Sequence, residues 1–332
     1  MTTLAELPAA VWRAESRIRS WIAETPLEPS PLAAATGGRL YLKLENLQRT
    51  GSFKARGAFS KLLSLDSPGR SRGVIAASTG NHGAAVAYAA AALETHALIV
   101  VPSDANPGKV AAIEALGGKV EVHGDDSAVA ETYARARAAD EQIPYISPYN
   151  DAEVVAGQGT IGVELAGQLP SVDAVFIALG GGGMLAGVGA LLKSIWPGTV
   201  VVGCSPENSA VMIESIRAGR ILDLPSRPTL SDGTAGGVEA GTITFEWCRD
   251  LADQLVTVSE DEIRQAMGAV LETHHLAVEG AAGVALAAYF RHAAAWREKN
   301  VVVILCGGNL NPETQDKSLR AVVAAKQSRV RF

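Results

Sequence analysis

The sequence predicts an α/β protein in which parallel sheets are covered by helices on both faces. Short runs rich in Val, Ile and Leu alternate with longer Ala-rich segments whose apolar residues recur at helical spacing. Nearly continuous apolar strands separated by helices are typical of such buried parallel sheets. Glycine accounts for 34 of the 332 residues, which is above the usual ~7% and predicts many tight turns and close backbone approaches.

The expected elements follow this alternation along the chain. The predicted strands cover residues 40–44, 74–76, 97–101, 119–122, 144–146, 174–178, 200–203, 255–258 and 301–306. The predicted helices include residues 53–65, 82–92, 109–116, 127–139, 182–196, 260–273 and 280–291, and a further helix is expected near 315–326. Ser259 before Glu260 and Glu262 is an N-cap pattern with acidic residues in the first helical turn.

The strand–helix units fall into two groups. Residues 73–148 hold a compact set of strand–helix steps, and we predict that they form a small mobile lobe. Residues 1–72 and 149–332 then form a larger lobe, since no linker rich in Pro, Ser or charge separates independent halves. Ligands of open α/β sheets bind beyond the carboxyl ends of the strands, so the chemistry is expected just after each strand.

Charge and composition exclude several classes of protein. The net charge is −6 and no basic stripe is present, so a nucleic-acid partner is not expected. A hydrophobic content of 48% excludes a disordered chain. Two uncharged stretches, 74–93 and 174–192, are interrupted by polar residues or by glycine, so no membrane partner is expected.

Cysteine usage and the N-terminus indicate the compartment. The three cysteines, Cys204, Cys248 and Cys306, lie far apart and form no CxxC pair. They offer neither a disulfide framework nor a zinc site, which fits a reducing environment. The first residues carry charges and lack an apolar leader segment. We therefore expect a soluble cytoplasmic protein.

The strongest motif is the glycine run that follows the predicted strand 174–178. Gly180, Gly181, Gly182 and Gly183 precede Met184 and a predicted helix. Successive backbone N–H groups there can turn toward one anion at a helix N-terminus, which indicates a phosphate site. The order matches neither GxGxxG nor GxxxxGK[ST], so a dinucleotide loop and a P-loop are not supported. The alternative interpretation is a flexible turn.

A second motif, Ser78-Thr79-Gly80-Asn81-His82-Gly83, follows the predicted strand 74–76. Small hydroxyls, an amide and an imidazole at a helix start suit a carboxylate or a phenolic oxygen. The alternative is an N-cap followed by a surface histidine. These residues alone do not decide between the two interpretations.

A third motif places a lysine among apolar neighbours. Lys54 lies between Phe53 and Ala55, before an apolar helix. A desolvated lysine can lose its proton and form a Schiff base, although most lysines are solvated surface groups. The predicted strand 301–306 ends in Cys306-Gly307-Gly308-Asn309, which is a buried thiol before a glycine turn or part of the same site. Together these motifs describe a pyridoxal phosphate site.

The ordered set of motifs resembles the serine/threonine dehydratase group of fold type II pyridoxal-phosphate enzymes, a group that also contains serine racemase. The similarity runs over nearly the whole chain. It is carried by Thr25-Pro26-Leu27, residues 52–58, residues 78–83, Ala156-Gly157-Gln158-Gly159-Thr160, the glycine run, residues 258–263 and residues 306–309. The resemblance implies a tryptophan synthase β-like fold with two doubly wound lobes.

The resemblance also assigns the cofactor residues. Pyridoxal 5′-phosphate would form a Schiff base with Lys54 and lie against Phe53. Asn81 would bind the phenolic oxygen of the cofactor, and residues 180–184 would hold its phosphate. Cys306 matches the small Ser or Cys that faces the pyridine nitrogen.

The same resemblance implies the reaction. Ser78, Thr79 and His82 match the loop that binds the substrate carboxylate. The expected activity is β-elimination, in which Lys54 takes the Cα proton of a 3-hydroxy amino acid such as L-threonine or L-serine. The products would be a 2-oxo acid and ammonia. Hydroxyaspartate or phenylserine are alternative substrates.

Three further expectations remain open at this stage. Thr79 stands where racemases of the group carry a serine, so a serine-type racemase with Lys54 and Thr79 on opposite faces is the alternative activity. Ser205 and Val211 occupy the positions that correspond to the group's cation site, so no structural metal is expected. The group is commonly dimeric, so a homodimer or larger homo-oligomer is expected.

Overall fold

The computed structural model describes residues 2–310, apart from the side chains of residues 34–36. The helix predicted near 315–326 lies outside the described residues. The described strands are β1 Leu27–Ser30, β2 Arg39–Lys43, β3 Val74–Ala77, β4 Ala97–Val101, β5 Lys119–Val122, β6 Ala174–Ala178, β7 Val200–Pro206, β8 Gln254–Val258 and β9 Asn300–Ile304. The described α-helices are α1 Leu7–Ile18, α2 Lys54–Ser64, α3 Ser67–Ser71, α4 Asn81–Ala92, α5 Pro107–Ala115, α6 Ser127–Asp140, α7 Ala152–Gln168, α8 Gly183–Ile195, α9 Val211–Ala218, α10 Ile243–Leu251, α11 Glu260–His274 and α12 Gly280–His292.

The larger sheet has six strands in the order β1-β2-β9-β6-β7-β8. Strand β1 pairs antiparallel with β2, and every other neighbouring pair in this sheet is parallel. All five residues of β6 are buried, as expected for a parallel strand that is covered on both faces. One continuous hydrophobic core joins this sheet to α1, α7, α8 and α12.

The smaller sheet contains β3, β4 and β5, which are parallel. Apolar residues of α2 and α4, among them Phe59 and Val86, form a core on one face. Ala130, Ala134 and Ala138 of α6 pack on the other face. Helices therefore cover both faces of each sheet, and the predicted doubly wound α/β architecture is confirmed. The lobe boundaries at 72/73 and 148/149 stay predictions.

Most of the predicted elements are present, with two instructive differences. The predicted strand 144–146 is only a single parallel bridge between Ile75 and Tyr145, because Pro144 has no backbone N–H to donate. Strand β1 was not predicted, because Leu27–Ser30 is short and contains Pro29. Proline is tolerated there since β1 lies at the edge of the sheet.

Helix α7 was also not predicted, because glycines interrupt its apolar pattern. The structure shows why glycine occurs there. A Cβ at Gly157 would lie 2.6 Å from the Arg56 carbonyl oxygen, and a Cβ at Gly159 would lie 2.5 Å from Val11. These glycines let α7 pack closely against α1 and α2, which fixes the helix that carries Lys54. Among residues 2–310, no helix is both long and apolar enough to span a bilayer.

Candidate active site

A cavity of about 660 Å³ lies where several helices begin. Its wall includes the first residues of α2, α4 and α8 together with residues just before and within α12. The residues predicted for the site that line it are Phe53, Lys54, Ser78, Thr79, Asn81, His82, Gly180, Gly181, Gly182, Gly183, Met184 and Cys306. The positive ends of several helix dipoles therefore point toward one volume, which favours an anionic ligand.

Lys54 is the first residue of α2 and is largely enclosed. Its Nζ atom donates to the carbonyl oxygen of Pro148 at 3.1 Å and lies 5.1 Å from the centre of the Phe53 ring. The backbone N–H of Phe53 donates to the Cys306 carbonyl at 3.0 Å, which ties the start of α2 to the end of β9. Burial lowers the pKa of Lys54 to about 8. About a tenth of the amine is therefore neutral at pH 7, and about half at pH 8.

The glycine run forms a cradle that no side chain could share. A Cβ at Gly181 would lie 2.2 Å from the Tyr149 ring, and a Cβ at Gly182 would lie 2.5 Å from Cys248 Sγ. Gly182 also has a φ of +88°, which L-residues with side chains rarely adopt. The backbone therefore lies directly at the cavity wall before α8. This geometry fits a phosphate group bound by main-chain N–H groups.

Cys306 and Glu279 occupy one corner of the cavity. Cys306 Sγ lies 3.8 Å from Glu279 Oε1, and both residues are buried. Burial, with a further contribution from Glu279, raises the pKa of the Cys306 thiol, which is therefore neutral. Burial also raises the pKa of Glu279 to about 7. The corner thus offers a neutral thiol and a carboxyl that can change its charge near neutral pH.

Asn81 connects this corner to the chain segment before α2. Its Nδ2 atom lies 3.0 and 2.9 Å from the two carboxylate oxygens of Glu279. Its Oδ1 atom accepts from Asn309 Nδ2 at 2.7 Å, and Asn309 Nδ2 also donates to the Thr50 carbonyl at 2.8 Å. The amide of Asn81 is therefore held at both ends.

The loop between β3 and α4 carries the residues predicted to bind a carboxylate. Ser78 Oγ accepts from the backbone N–H of Gly80 at 3.1 Å. His82 Nε2 donates to the Ile146 carbonyl at 2.8 Å, and burial, followed by the charge of Lys54, lowers the pKa of His82 to about 3. The neutral imidazole has no second N–H. Any hydrogen bond from His82 to a carboxylate would therefore come from its backbone N–H at the start of α4.

At the cavity mouth, ion pairs join helices of the smaller sheet to the chain segment 232–239. Lys109 Nζ on α5 lies 2.7 Å from Asp232 Oδ2, and Arg135 on α6 lies 2.7 Å from Glu239. The backbone N–H of Glu239 donates to the Tyr149 hydroxyl at 2.9 Å. The segment 232–239, of which residues 232–235 line the cavity, is therefore held against the helices of the smaller sheet.

A second cluster of charged side chains lies behind the cavity and is fully buried. Arg56 forms two hydrogen bonds with Glu45, at 2.8 and 2.7 Å, and two with Glu164, at 2.8 and 2.9 Å. Lys43 Nζ also contacts Glu164 at 2.6 Å. The pKa of Glu164 is held at about 2, because Arg56 and Lys43 outweigh the effect of burial, which alone would raise it.

Sequence reasoning missed three residues of the site. Glu279 carried a usable signal, since it is an acidic residue directly before the Gly280 helix start. Asn309 belonged to a quoted motif but was given no role, and Tyr149 gave no signal at all. Within residues 2–310, no three His, Cys, Asp or Glu side chains are grouped so as to hold a metal, and the expected absence of a structural metal stays a prediction.

Known proteins share this fold and sequence. The family described as pyridoxal-phosphate dependent enzymes matches residues 18–307. The L-threonine ammonia-lyase of Thermotoga maritima is 40% identical over 290 residues, which cover 87% of this chain and 71% of that protein. The catabolic L-threonine dehydratase TdcB of Escherichia coli is 40% identical over 278 residues, covering 82% of this chain and 84% of that protein.

Solved structures agree with these sequence matches. The processed form of threonine deaminase isoform 2 from Solanum lycopersicum superposes with a TM-score of 0.90 and 34% identity, covering 96% of this chain and 92% of that one. Maize serine racemase superposes with a TM-score of 0.87 and 31% identity, covering 96% and 98% of the two chains.

A fold of this kind with a buried lysine and a glycine cradle defines a fold type II enzyme that uses pyridoxal phosphate. The chain belongs to the pyridoxal-phosphate dependent enzyme family. The predicted resemblance, fold class and cofactor are therefore confirmed. The roles of the individual site residues stay predictions.

Proposed function

We propose that the protein is a lyase that eliminates water from a 3-hydroxy amino acid such as L-threonine or L-serine and, after hydrolysis of the enamine product takes up one water, yields a 2-oxo acid and ammonia. The observation that carries the proposal is Lys54, a lysine with a lowered pKa beside the glycine cradle. Relatives named for threonine dehydration, at 40% identity, support the same reaction.

In this proposal Lys54 holds the cofactor and moves a proton. Bound pyridoxal phosphate supplies an electron sink that makes the Cα–H bond of the substrate acidic. With a pKa of about 8, the Lys54 amine can accept that proton near neutral pH. The bond from Cβ to the hydroxyl then breaks, and the hydroxyl takes up a proton, which balances the one that Lys54 removed from Cα, and leaves as water. Hydrolysis of the enamine product consumes one water and gives the 2-oxo acid and ammonia.

The other wall residues bind and orient. Main-chain N–H groups of residues 180–184 would hold the phosphate, and Phe53 would lie against the ring. The neutral thiol of Cys306 would face the ring nitrogen without the stabilisation that a carboxylate gives to a protonated ring, which favours prompt loss of the β-substituent over a long-lived carbanion. The Ser78 and Thr79 hydroxyls and the backbone N–H of His82 would bind the substrate carboxylate.

Replacement of Lys54 by alanine tests the proposal. The purified protein should show a visible absorbance band from the bound cofactor, and L-threonine or L-serine should yield a 2-oxo acid. Lys54→Ala should lose both signals. Lys61→Ala is the matched control, because Lys61 lies on the same helix but does not line the cavity. Its Nζ atom pairs with Asp151 Oδ2 at 2.6 Å. Formation of 2-oxo acid by Lys54→Ala would refute the assignment.

Thr79 supports a second candidate function, amino-acid racemisation. Its hydroxyl lies in the wall that Lys54 shares, so the two groups could act on opposite faces of Cα. Chiral analysis of L-serine after incubation, beside the 2-oxo acid assay, separates the two activities. Thr79→Ala should abolish the formation of D-serine, while the formation of 2-oxo acid continues with weaker substrate binding.

We also propose a small mobile lobe over residues 73–148, a homodimeric or larger assembly and a cytoplasmic location. The location is supported by the three cysteines, which are all buried as free thiols. The assembly rests on the family resemblance, and the lobe boundaries rest on the grouping of strand–helix units along the chain. Light scattering of the purified protein measures the size of the assembly, and hydrogen exchange over residues 73–148 measures the mobility of the small lobe.

A further inference from the structure

Three side chains beside the cavity form a hydrogen-bonded chain whose direction is fixed at one end. Asn309 Nδ2 donates to the backbone carbonyl oxygen of Thr50 at 2.8 Å. A carbonyl oxygen can only accept, so Asn309 must present its NH₂ group on this side. The same Nδ2 atom lies 2.7 Å from Asn81 Oδ1. Its second hydrogen serves this contact.

The amide orientation of Asn309 determines the amide orientation of Asn81. Because the Asn81 oxygen accepts from Asn309, the NH₂ group of Asn81 must be on the other side of its amide. There it meets both carboxylate oxygens of Glu279, at 3.0 and 2.9 Å. A flip of either amide would place like groups opposite each other. The Thr50 carbonyl therefore determines which end of Asn81 is the donor.

Two glycines leave the space for this chain. A Cβ at Gly51 would lie 2.4 Å from Asn309 Oδ1, and Gly51 has a φ of +70°. A Cβ at Gly307 would lie 2.4 Å from Glu279 Oε1. Glu279 is also only 5% exposed, so little of this residue contacts water. The backbone thus accommodates the amide and the carboxyl at both ends.

We propose that Asn309 and Glu279 are positioning residues that make Asn81 present its NH₂ group, and not its oxygen, to the phenolic oxygen of bound pyridoxal phosphate. This inference rests on the proposed cofactor contact of Asn81. A phenolate oxygen accepts hydrogen bonds and would repel an amide oxygen. The two hydrogens of the NH₂ group suffice for one bond to Glu279 and one to the cofactor.

A double-mutant cycle between Asn309 and Asn81 tests this proposal. Asn309→Asp keeps the size of the side chain but has no hydrogen to donate to Thr50 or Asn81. We expect about tenfold weaker binding of pyridoxal phosphate, measured by absorbance titration of the full chain, and a shift in the pH at which the visible band changes. In an Asn81→Ala background, Asn309→Asp should weaken binding by less than about twofold, because residues that act through each other are not additive.

Matched variants separate this role from general damage. Asn208→Asp is the control, since Asn208 Nδ2 also donates to a backbone carbonyl, that of Pro228, at 2.7 Å. Asn208 does not line the cavity. This variant should leave the affinity and the band unchanged. Asn309→Ala should reproduce the loss caused by Asn309→Asp. Glu279→Gln, which keeps one acceptor oxygen, should weaken binding less than Glu279→Leu.

The possible outcomes are distinguishable. Additive losses in the double variant, or an unchanged pH response in Asn309→Asp, would overturn the positioning role while the proposed function stands. A wild-type protein without a visible band on adding pyridoxal phosphate, or a band retained by Lys54→Ala, would overturn the proposed function and this inference with it.

Discussion

Lys54 and Arg56 lie two residues apart at the start of α2, yet their surroundings act on them in opposite ways. Arg56 is 0% exposed, and all five of its N–H groups reach oxygen atoms of Glu45, Glu164 and Thr160. Despite burial, these carboxylates raise the pKa of Arg56. Lys54 has one carbonyl partner, and burial lowers its pKa to about 8.

The difference shows that burial alone does not determine the charge of a side chain. A cation whose donors all meet carboxylates keeps its charge, whereas a cation with few partners is driven toward its neutral form. The surroundings of Arg56 and of Lys54 therefore have different roles at the start of α2. The Arg56 cluster fixes the helix, and the Lys54 environment leaves a reactive amine. Three measurements test this difference between the two side chains.

The largest effect is expected from Arg56→Met. It leaves the buried carboxylates of Glu45 and Glu164 without their main partner, so the free energy of unfolding should fall by about 3–5 kcal/mol. Urea denaturation measures this loss. Arg19→Met is the control, because Arg19 also contacts Glu164, at 2.9 Å, but its side chain is 35% exposed. Its loss should stay within about 1 kcal/mol, and equal losses would contradict the role assigned to the buried cluster.

A smaller effect on the free energy of unfolding is expected when the pH is lowered. The pKa of Glu164 is about 2 in the folded protein against an ordinary 4.5. A lowered carboxyl pKa adds stability that is present above pH 4.5 and is lost as the pH falls toward 2. The stability advantage of wild type over Glu164→Gln should therefore shrink by about 2 kcal/mol between pH 7 and pH 3.

Urea titrations at several pH values between 7 and 3 provide the measurement. Glu214→Gln is the control, since Glu214 forms an exposed pair with Arg217. The stability difference between wild type and this control should stay near zero at each pH. An advantage over Glu164→Gln that does not change with pH would show that Arg56 and Lys43 do not hold the charge of Glu164.

The smallest effect is expected from Lys54→Met in cofactor-free protein. Removing a poorly paired buried cation should raise the free energy of unfolding by about 1–2 kcal/mol at pH 7. A lysine pKa lowered from 10.5 to about 8 costs stability below pH 8, and this cost disappears as the pH rises toward 10.5. The gain should therefore decline over that range, while Lys61→Met gives none. A loss of stability at pH 7 would contradict the poor pairing of Lys54.

The sequence was sufficient for the parts of the site that lie in short motifs. Strand ends, the glycine run and the lysine before an apolar helix depend on local patterns, and the structure brings all of them to one cavity. Glu279 and Asn309 could not be given roles, because their contacts with Asn81 join residues 198 and 228 positions apart. Such pairings depend on how strands cross over in the sheets.

The same limit applies to the fold. Long apolar strands such as β6 were predicted, because burial on both faces leaves a continuous signal. Helix α7 was missed because its glycines reflect the approach of α1 and α2, which is a tertiary requirement that overrides helix propensity. Likewise, the buried pairing of Arg56 with Glu164 joins residues 108 apart, and the sequence around Arg56 reads as an ordinary helix start.

The glycine cradle before α8 has a consequence for how such an enzyme can diversify. Main-chain N–H groups do not titrate, and no single side-chain exchange outside the glycines removes them. In the proposed function these N–H groups hold the phosphate, and side-chain substitutions elsewhere in the wall leave them in place. Substitutions in the segment 232–239 or at Thr79 could redirect the choice of amino acid while the coenzyme stays in place. One fold can in this way retain its cofactor while its amino-acid substrate changes.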